Sequence, residues 1–228
     1  MIYAIIAAAG SGSRMGGGLN KQFILLNGLP VLARSLYAIA ACPEVDGLII
    51  VSAPAQLAAL TELAGSLALG KPFRLVAGGS ERQYSVANAL AAVPEDAEFI
   101  LVHDGARPLV LPQQVSEVLA AARSFGAAGL AAPVKDTIKT VNADGFVTGT
   151  PDRSLLWAIQ TPQAFAARLL RQAYAQAAAD GYLGTDDASL VERLGVRIKL
   201  VNGGYENLKI TTGEDVCLAE ALLSRRMG

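Results

Sequence analysis

The sequence holds one histidine and two cysteines in 228 residues. A zinc centre of imidazole and thiolate ligands needs three or four such groups, so none can be assembled from His and Cys alone. The cysteines, Cys42 and Cys217, stand far apart within apparently helical patterns and read as small buried hydrophobes rather than a disulfide or redox pair. His103 closes an apolar run and reads as a hydrogen-bonded strand-end residue rather than a catalytic one. An excess of charge of one sign is missing as well: 19 Lys and Arg face 20 Asp and Glu, a net charge of −1. Without a basic field nothing holds a polynucleotide by counterion release, which argues against a nucleic-acid partner. Apolar residues make up 52% of the chain, much of it alanine, and no run approaches the roughly 18 residues that a membrane span needs. Met1 leads almost directly into the first apolar run, with neither the basic segment nor the long apolar stretch of a secretory signal, so a soluble, cytoplasmic protein is expected. Long polar and low-complexity tracts are absent too, which leaves no candidate linker and predicts one domain over residues 1–228.

What the sequence does have is concentrated near its start. The run Ala4-Ile-Ile-Ala-Ala-Ala-Gly10-Ser-Gly-Ser-Arg14 breaks from apolar residues into glycines and a cation, and a second cation follows at Lys21. This predicts a buried strand feeding an anion-binding loop. The small residues Ala8, Ala9, Gly10, Ser11 and Gly12 let backbone N–H groups approach a nucleotide's phosphates closely, and Arg14 and Lys21 supply full charges. Two familiar versions of such a loop are disfavoured. Met15 stands where the dinucleotide fingerprint has its third glycine, and the second strand ends in Val51-Ser52-Ala53 without an acidic residue for a ribose hydroxyl. Nor does GxxxxGK[ST] occur, since Lys21 stands between Asn20 and Gln22.

Beyond this loop, strand and helix patterns alternate. Helical spacing runs over 29–42 with Pro30 in the first turn, then an apolar strand over 48–51 precedes an alanine- and leucine-rich helix over 56–69. A strand over 73–77 leads through Gly78-Gly-Ser-Glu-Arg82, with Ser80 as N-cap, into a helix over 83–93. A strand over 99–102 ends in His103-Asp-Gly-Ala-Arg-Pro108, and a helix over 112–125 and a strand over 127–134 follow. Such alternation predicts the α/β class with a mostly parallel sheet, and ligands beyond the carboxyl ends of its strands. At 135–155 the alternation breaks into two β-rich segments around Asn142-Ala-Asp-Gly145, a projecting β-hairpin arm. A lone hairpin is marginal in water, so the arm is expected to pack on a second copy of the chain and form a homodimer. Lys135 and Lys139 read as solvated arm charges. The body resumes with a strand over 156–161, a helix over 165–179, a short helix capped by Thr185-Asp-Asp-Ala188, edge strands over 197–201 and 207–210, and a last helix from Thr212.

The successive segments Ala7-Ala-Ala-Gly-Ser-Gly-Ser-Arg-Met15, Asn20-Lys-Gln-Phe23, Gly78-Gly-Ser-Glu-Arg82, His103-Asp-Gly-Ala-Arg-Pro108, Pro133-Val-Lys-Asp-Thr137, Thr161-Pro-Gln163, Thr185-Asp-Asp-Ala188 and Asn207-Leu-Lys-Ile-Thr211 carry a resemblance over almost the whole chain. In this order they resemble the motifs of the 2-C-methyl-D-erythritol 4-phosphate cytidylyltransferase family. Gly105 stands where that family often has alanine and Asn20 where proline is frequent, and neither change removes a charge. The resemblance implies a single Rossmann-like nucleotidyltransferase domain that transfers CMP from CTP to the phosphate of methylerythritol phosphate, releasing pyrophosphate, in non-mevalonate isoprenoid synthesis. Another phosphorylated polyol, such as ribitol 5-phosphate, is the alternative acceptor.

The residues make chemical sense of that reaction. Attack of one phosphate on another crowds anions together, so the catalyst's task is positioning and stabilisation of negative charge. Arg14 and Lys21 are placed for it as the catalytic pair, and the attacking phosphate, already ionised near neutral pH, needs no protein base. Asp104, at a strand end, is the carboxylate for a Mg²⁺ that also binds substrate phosphates. By resemblance Asp104 also touches the acceptor hydroxyls, and Gly79, Ser80 and Ser85 recognise cytosine and ribose. The resemblance likewise gives Arg107, Arg153 and Lys209 to the second substrate, Arg153 and Lys209 positioning it, with Thr137, Thr161 and Thr185 as hydroxyl donors. The arm would carry Thr137 and Arg153 into the neighbouring chain's site.

Overall fold

Strand β1 (Ile2–Ala8) shows how the chain builds its middle layer. Ile2, Ala4, Ile6 and Ala8 enter one hydrophobic cluster, while Ile5, with Tyr3 and Ala7 beside it, enters another on the opposite face. Apolar residues at both parities of a two-residue repeat make a strand that must be covered on both sides. The computed structural model describes residues 1–10 and 21–227, apart from the side chains of Lys21 and Met227. After β1 come a small hairpin of β2 (Leu25–Leu26) and β3 (Leu29–Pro30), then α1 (Val31–Ala40), β4 (Gly47–Ser52), α2 (Leu57–Ser66), β5 (Phe73–Ala77), α3 (Arg82–Ala92) and β6 (Phe99–Asp104). The second half runs α4 (Pro112–Phe125), β7 (Ala127–Pro133), arm strands β8 (Thr140–Val141) and β9 (Val147–Gly149), β10 (Trp157–Ala166), α5 (Ala167–Ala179), α6 (Asp187–Glu192), β11 (Lys199–Asn202) and α7 (Gly213–Met227).

Seven strands form one sheet in the order β11-β7-β10-β6-β1-β4-β5. β1 pairs in parallel with β4 and β6, β4 with β5, and β11 with β7, whereas β10 runs antiparallel to both β6 and β7. The sheet is therefore mostly parallel, and every strand but β10 delivers its carboxyl end to the same edge. Helices α1, α2 and α4 cover one face, and α3, α5 and α6 the other. A smaller cluster of Leu26, Val31, Leu109, Ile210 and Ala219 anchors α7. The chain steps outward from β1 to β4 to β5, and α3 then returns it to the other side of β1 as β6. That reversal opens a crevice beyond the carboxyl ends of β1 and β6, the place where open α/β sheets bind ligands.

Several local expectations are corrected. Pro30 is the N-cap of α1 and pairs with Leu25, so its place is before the first turn and not within it. Glu81, not Ser80, caps α3, and no side chain bonds there. β10 continues to Ala166, and Phe165, where a helix was expected to open, is fully buried in the sheet opposite Ile100 and Ala127. Burial on both faces of a central strand overrides the helical spacing of its alanines. Residues 207–210 form no strand; they are a loop tied to the body by the Ile210 N–H, which donates to the Ala106 carbonyl at 2.8 Å. Cys42 is buried just beyond α1, but Cys217 is exposed on α7. The arm pairs only Thr140 with Gly149 and Val141 with Val147, less than the β-rich pattern suggests. Among the described residues no helix is long and apolar enough to cross a membrane.

Candidate active site at the carboxyl edge of the sheet

β1 delivers Ala8, Ala9 and Gly10 to the crevice, and β5 delivers Gly78 and Gly79 beside them. A Cβ on Gly78 would lie 2.7 Å from the Ala9 Cβ and 2.8 Å from Ser85 Oγ, so the two loops touch only because that side chain is missing. The Gly78 N–H donates to the Ser52 carbonyl at 2.8 Å. Ser85, buried in α3, accepts the Gly79 N–H at 3.1 Å and donates to the Glu81 carbonyl at 2.9 Å. Its hydroxyl thus shapes the Gly79-Ser80 loop, whose two residues are exposed. Lys21 opens a short 3₁₀ turn, and the Gln22 amide donates to the Ala8 carbonyl, tying the returning chain to the end of β1. Ser11, Gly12 and Arg14 lie outside the described residues, as does the Lys21 side chain.

Across the crevice, Asp104 ends β6 amid three cations. Its Oδ2 stands 2.7 Å from Lys209 Nζ and 3.8 Å from Arg107 Nε, and its Oδ1 stands 3.4 Å from Arg82 Nε. The far end of Arg82 donates to Asp187 Oδ2 at 2.6 Å, and Tyr174 donates its hydroxyl to Asp187 Oδ1 at 2.5 Å. Arg107 donates to the Asn207 carbonyl at 2.7 Å, while the Asn207 amide donates to Gln160 Oε1 and the Thr161 carbonyl, each at 2.9 Å. The loop bearing Lys209 is thereby fastened to both β6 and β10. A register shift between Ile159 and Gln163 lies where β10 passes Asp104, and there the Thr161 hydroxyl accepts the Asp104 N–H at 2.9 Å.

The electrostatics follow from this geometry. Burial would raise the Asp104 pKa, but Arg82, Lys209 and Arg107 hold its carboxyl well below the usual carboxylate range. Burial alone would strip charge from Arg82, yet Asp187 and Asp104 reverse this and push its pKa up. Among the described residues, Arg82, Arg107 and Lys209 against Asp104 and Asp187 leave one surplus positive charge around Asp104. That surplus suits an anionic ligand. It does not suit a metal at Asp104, because both carboxylate oxygens already face cations and a divalent ion would meet three positive side chains. Nor, among the described residues, do three His, Cys, Asp or Glu side chains gather to hold a metal. The residues present therefore do not fit Mg²⁺ at Asp104 as arranged here; the carboxylate orients cations instead.

His103 is fully buried, with Nε2 3.2 Å from the Arg107 carbonyl and Nδ1 3.2 Å from Thr161 Oγ1. A carbonyl can only accept, so the network assigns the proton to Nε2 and makes Nδ1 the acceptor of the Thr161 hydroxyl. Burial pushes the His103 pKa down from 6.5 to about 4. The unfolded chain therefore binds more protons than the folded chain between those values. The stabilisation by the neutral imidazole is complete above pH 6.5 and is lost as the pH falls towards 4, by about 3 kcal/mol in all. Denaturant titrations across this range are expected to show the loss, and His103→Gln to flatten it; equal slopes in the two proteins would refute the assignment.

The structure thus brings Asp104, Arg107, Lys209 and Thr161 together, opposite the loops bearing Ala8, Ala9, Gly10, Gly79 and Ser80. Thr185 is exposed immediately before Asp186, the N-cap of α6. Thr137 and Arg153 stand exposed on the arm, Arg153 donating to the Lys135 carbonyl at 2.7 Å, and among the described residues neither bonds to the Asp104 cluster. Lys135 is not simply solvated, since its ammonium lies 3.3 Å from the centre of the Tyr205 ring. Sequence reasoning missed Arg82, Asp187, Tyr174 and Asn207 as site members. Arg82 and Asp187 did stand within motif segments at strand and helix ends, but a contact across 105 residues has no local signal.

A cationic crevice at the switch point of a mostly parallel sheet, flanked by a small-residue loop that is neither of the dinucleotide nor of the GxxxxGK[ST] type, defines an α/β nucleotidyltransferase. The chain belongs to the 2-C-methyl-D-erythritol 4-phosphate cytidylyltransferase family, whose model matches residues 2–225. The protein of that name from Symbiobacterium thermophilum is 51% identical over 222 residues, covering 97% of this chain and 92% of the relative. The one from Desulforamulus reducens is 46% identical over 227 residues, covering 99% and 97%. Among solved structures, the 4-diphosphocytidyl-2C-methyl-D-erythritol synthase of Anaerococcus prevotii superposes with a TM-score of 0.88 at 33% identity, over 98% of this chain and 96% of that one.

Proposed function

We propose that the chain transfers CMP from CTP to 2-C-methyl-D-erythritol 4-phosphate, with the residues of the crevice divided between the two substrates. The Ala8–Gly12 loop and the Gly79-Ser80 backbone hold the nucleotide, and Arg14 and Lys21 stabilise the charge that develops on its phosphates. An oxygen of the acceptor phosphate attacks the α-phosphorus of CTP, the bond to the bridging oxygen breaks, and pyrophosphate leaves with the electron pair. Lys209 and Arg107 receive the acceptor phosphate, and Asp104, Thr161 and Thr185 face its polyol. A second copy of the chain supplies Thr137 and Arg153 through its arm. A divalent cation supplied with the triphosphate would offset phosphate charge during the transfer, and among the described residues no cluster of carboxylates would hold it. A need for CTP suits a compartment supplied with nucleoside triphosphates, such as the cytoplasm.

The observation that carries this reading is the surplus positive charge around Asp104, set beside the end of β1, where Asp104 pairs with Ala7 and the small-residue loop begins. Incubation with CTP, Mg²⁺ and methylerythritol phosphate is expected to release pyrophosphate, and chelation of the metal to stop it. Ribitol 5-phosphate should react at least about 10²-fold more slowly, since one phosphate and several placed hydroxyls are read together. Failure of methylerythritol phosphate to react, in protein shown to be folded, would overturn the reading.

A further inference from the structure

Asp187 is a buried carboxylate that the division of labour above does not use. It is fully buried, and the first turn of α6 does not need it, because the N-cap Asp186 accepts the Ser189 N–H at 2.9 Å. Its two oxygens go instead to Tyr174 from α5 and Arg82 from α3. A buried charge is costly unless paired and hydrogen-bonded, so this pairing fixes the distal end of Arg82. The near end meets Oδ1 of Asp104, the oxygen opposite the one facing Lys209 and Arg107.

We propose that Arg82, held from behind by the Asp187–Tyr174 pair, is a positioning residue for the acceptor half of the site and acts through Asp104; this rests on the reading of the acceptor side given above. With Oδ1 held, the Asp104 carboxylate keeps its rotation and shares Lys209 through one oxygen only. Without that hold, the carboxylate turns its second oxygen towards Arg107 and Lys209 as well, so that Lys209, already 2.7 Å from Oδ2, is neutralised more fully and offers less charge to the acceptor phosphate. The fork of arginine is required, since it must reach carboxylates on two elements at once and an ammonium is a single point charge. The nucleotide side is untouched, because Ser85 rather than Arg82 shapes the Gly79-Ser80 loop.

The obvious variant, Arg82→Met, leaves Asp187 buried without its cation and is at risk of unfolding, so the decisive protein is the double variant Arg82→Met/Asp187→Asn. It removes both charges, and the asparagine carbonyl still accepts the Tyr174 hydroxyl. Its kcat/KM for the acceptor is expected to fall by about 10²-fold while KM for CTP stays within about twofold. Arg82→Lys should not restore the loss. Asp187→Asn alone should impair acceptor turnover, and the defects of the two single variants should not add, since one residue acts only through the other. Unchanged acceptor kcat/KM in the double variant, an equal rise in both KM values, or full rescue by lysine each overturns the proposal. A crystal structure of the double variant separates this claim from the reaction assignment. It should show the Asp104 carboxylate turned towards Arg107 and Lys209 whichever substrate turns over, and an unmoved carboxylate overturns the positioning role.

Discussion

Replacing Lys21 by alanine is expected to lower kcat by about 10²-fold or more, and Arg14→Ala to do the same, with much smaller changes in KM for CTP. The reason lies in where charge develops. Before attack, the triphosphate is already anionic and can be held by backbone N–H groups of the Ala8–Gly12 loop. As the acceptor oxygen approaches, two anions are pressed together, and the bond to the leaving pyrophosphate puts further charge on its bridging oxygen. A fixed cation that is better placed for this arrangement than for bound CTP lowers the barrier without tightening the ground state. A 10²-fold loss corresponds to about 2.7 kcal/mol, the size expected of one preorganised electrostatic group. Lys21 is suited to preorganisation because the neighbouring Gln22 amide fastens its backbone to the end of β1. Steady-state kinetics on purified variants checks this, and a variant with normal kcat and only a raised KM for CTP would assign the residue to binding alone.

How far such a site can be read without coordinates depends on the kind of contact. β1, β4 and α4 follow from local pattern, because burial on both faces writes a continuous apolar run and an αL glycine stops a helix: α4 ends at Phe125 as expected, with Gly126 at φ of 84° closing it. The loops at the ends of β1, β5 and β6 were legible as ligand-holding for the same local reason. β10 was half legible. Its first residues look like a strand, but the pairing that keeps Ala164, Phe165 and Ala166 extended comes from β6 and β7, more than thirty residues back in the chain. The charge arrangement was the least legible part. Asp104 in a strand-end turn reads as a free carboxylate in need of a metal, whereas Arg107 from its own turn and Arg82 and Lys209 from two distant segments surround it. Arg107 lies three residues from Asp104 in the same turn, but nothing in the spacing of residues 82, 104, 187 and 209 foretells the rest of the cluster, because only the sheet order brings β6, α3, α6 and the loop before α7 to one place.

Activity is expected to reappear when two inactive chains are mixed, one carrying Arg153→Ala and the other Lys21→Ala. The expectation rests on the arm. Phe146 and Leu155 are 71% and 78% exposed, with Val141 and Val147 exposed nearby, an apolar surface that a short two-strand hairpin has no means of covering itself. Packing the arm on a second copy covers it, and a twofold arrangement makes each arm serve the other chain's body. In its own chain Arg153 is exposed and donates to the Lys135 carbonyl, leaving the rest of its fork for a phosphate beyond its own crevice. If Arg153 serves the partner, a mixed dimer has one site with Lys21 from the first chain and Arg153 from the second, and one site lacking both. Each mixed dimer should then show about half the wild-type activity, and a fully exchanged equal mixture about a quarter, since half of its dimers are mixed. Arg153→Lys homodimers should raise KM for methylerythritol phosphate far more than for CTP, because a single ammonium cannot reproduce a two-pronged phosphate contact. Mass spectrometry of differently tagged chains establishes the exchange. An exchanged mixture that stays inactive would mean that Arg153 acts within its own chain, and the arm would then be an assembly device alone.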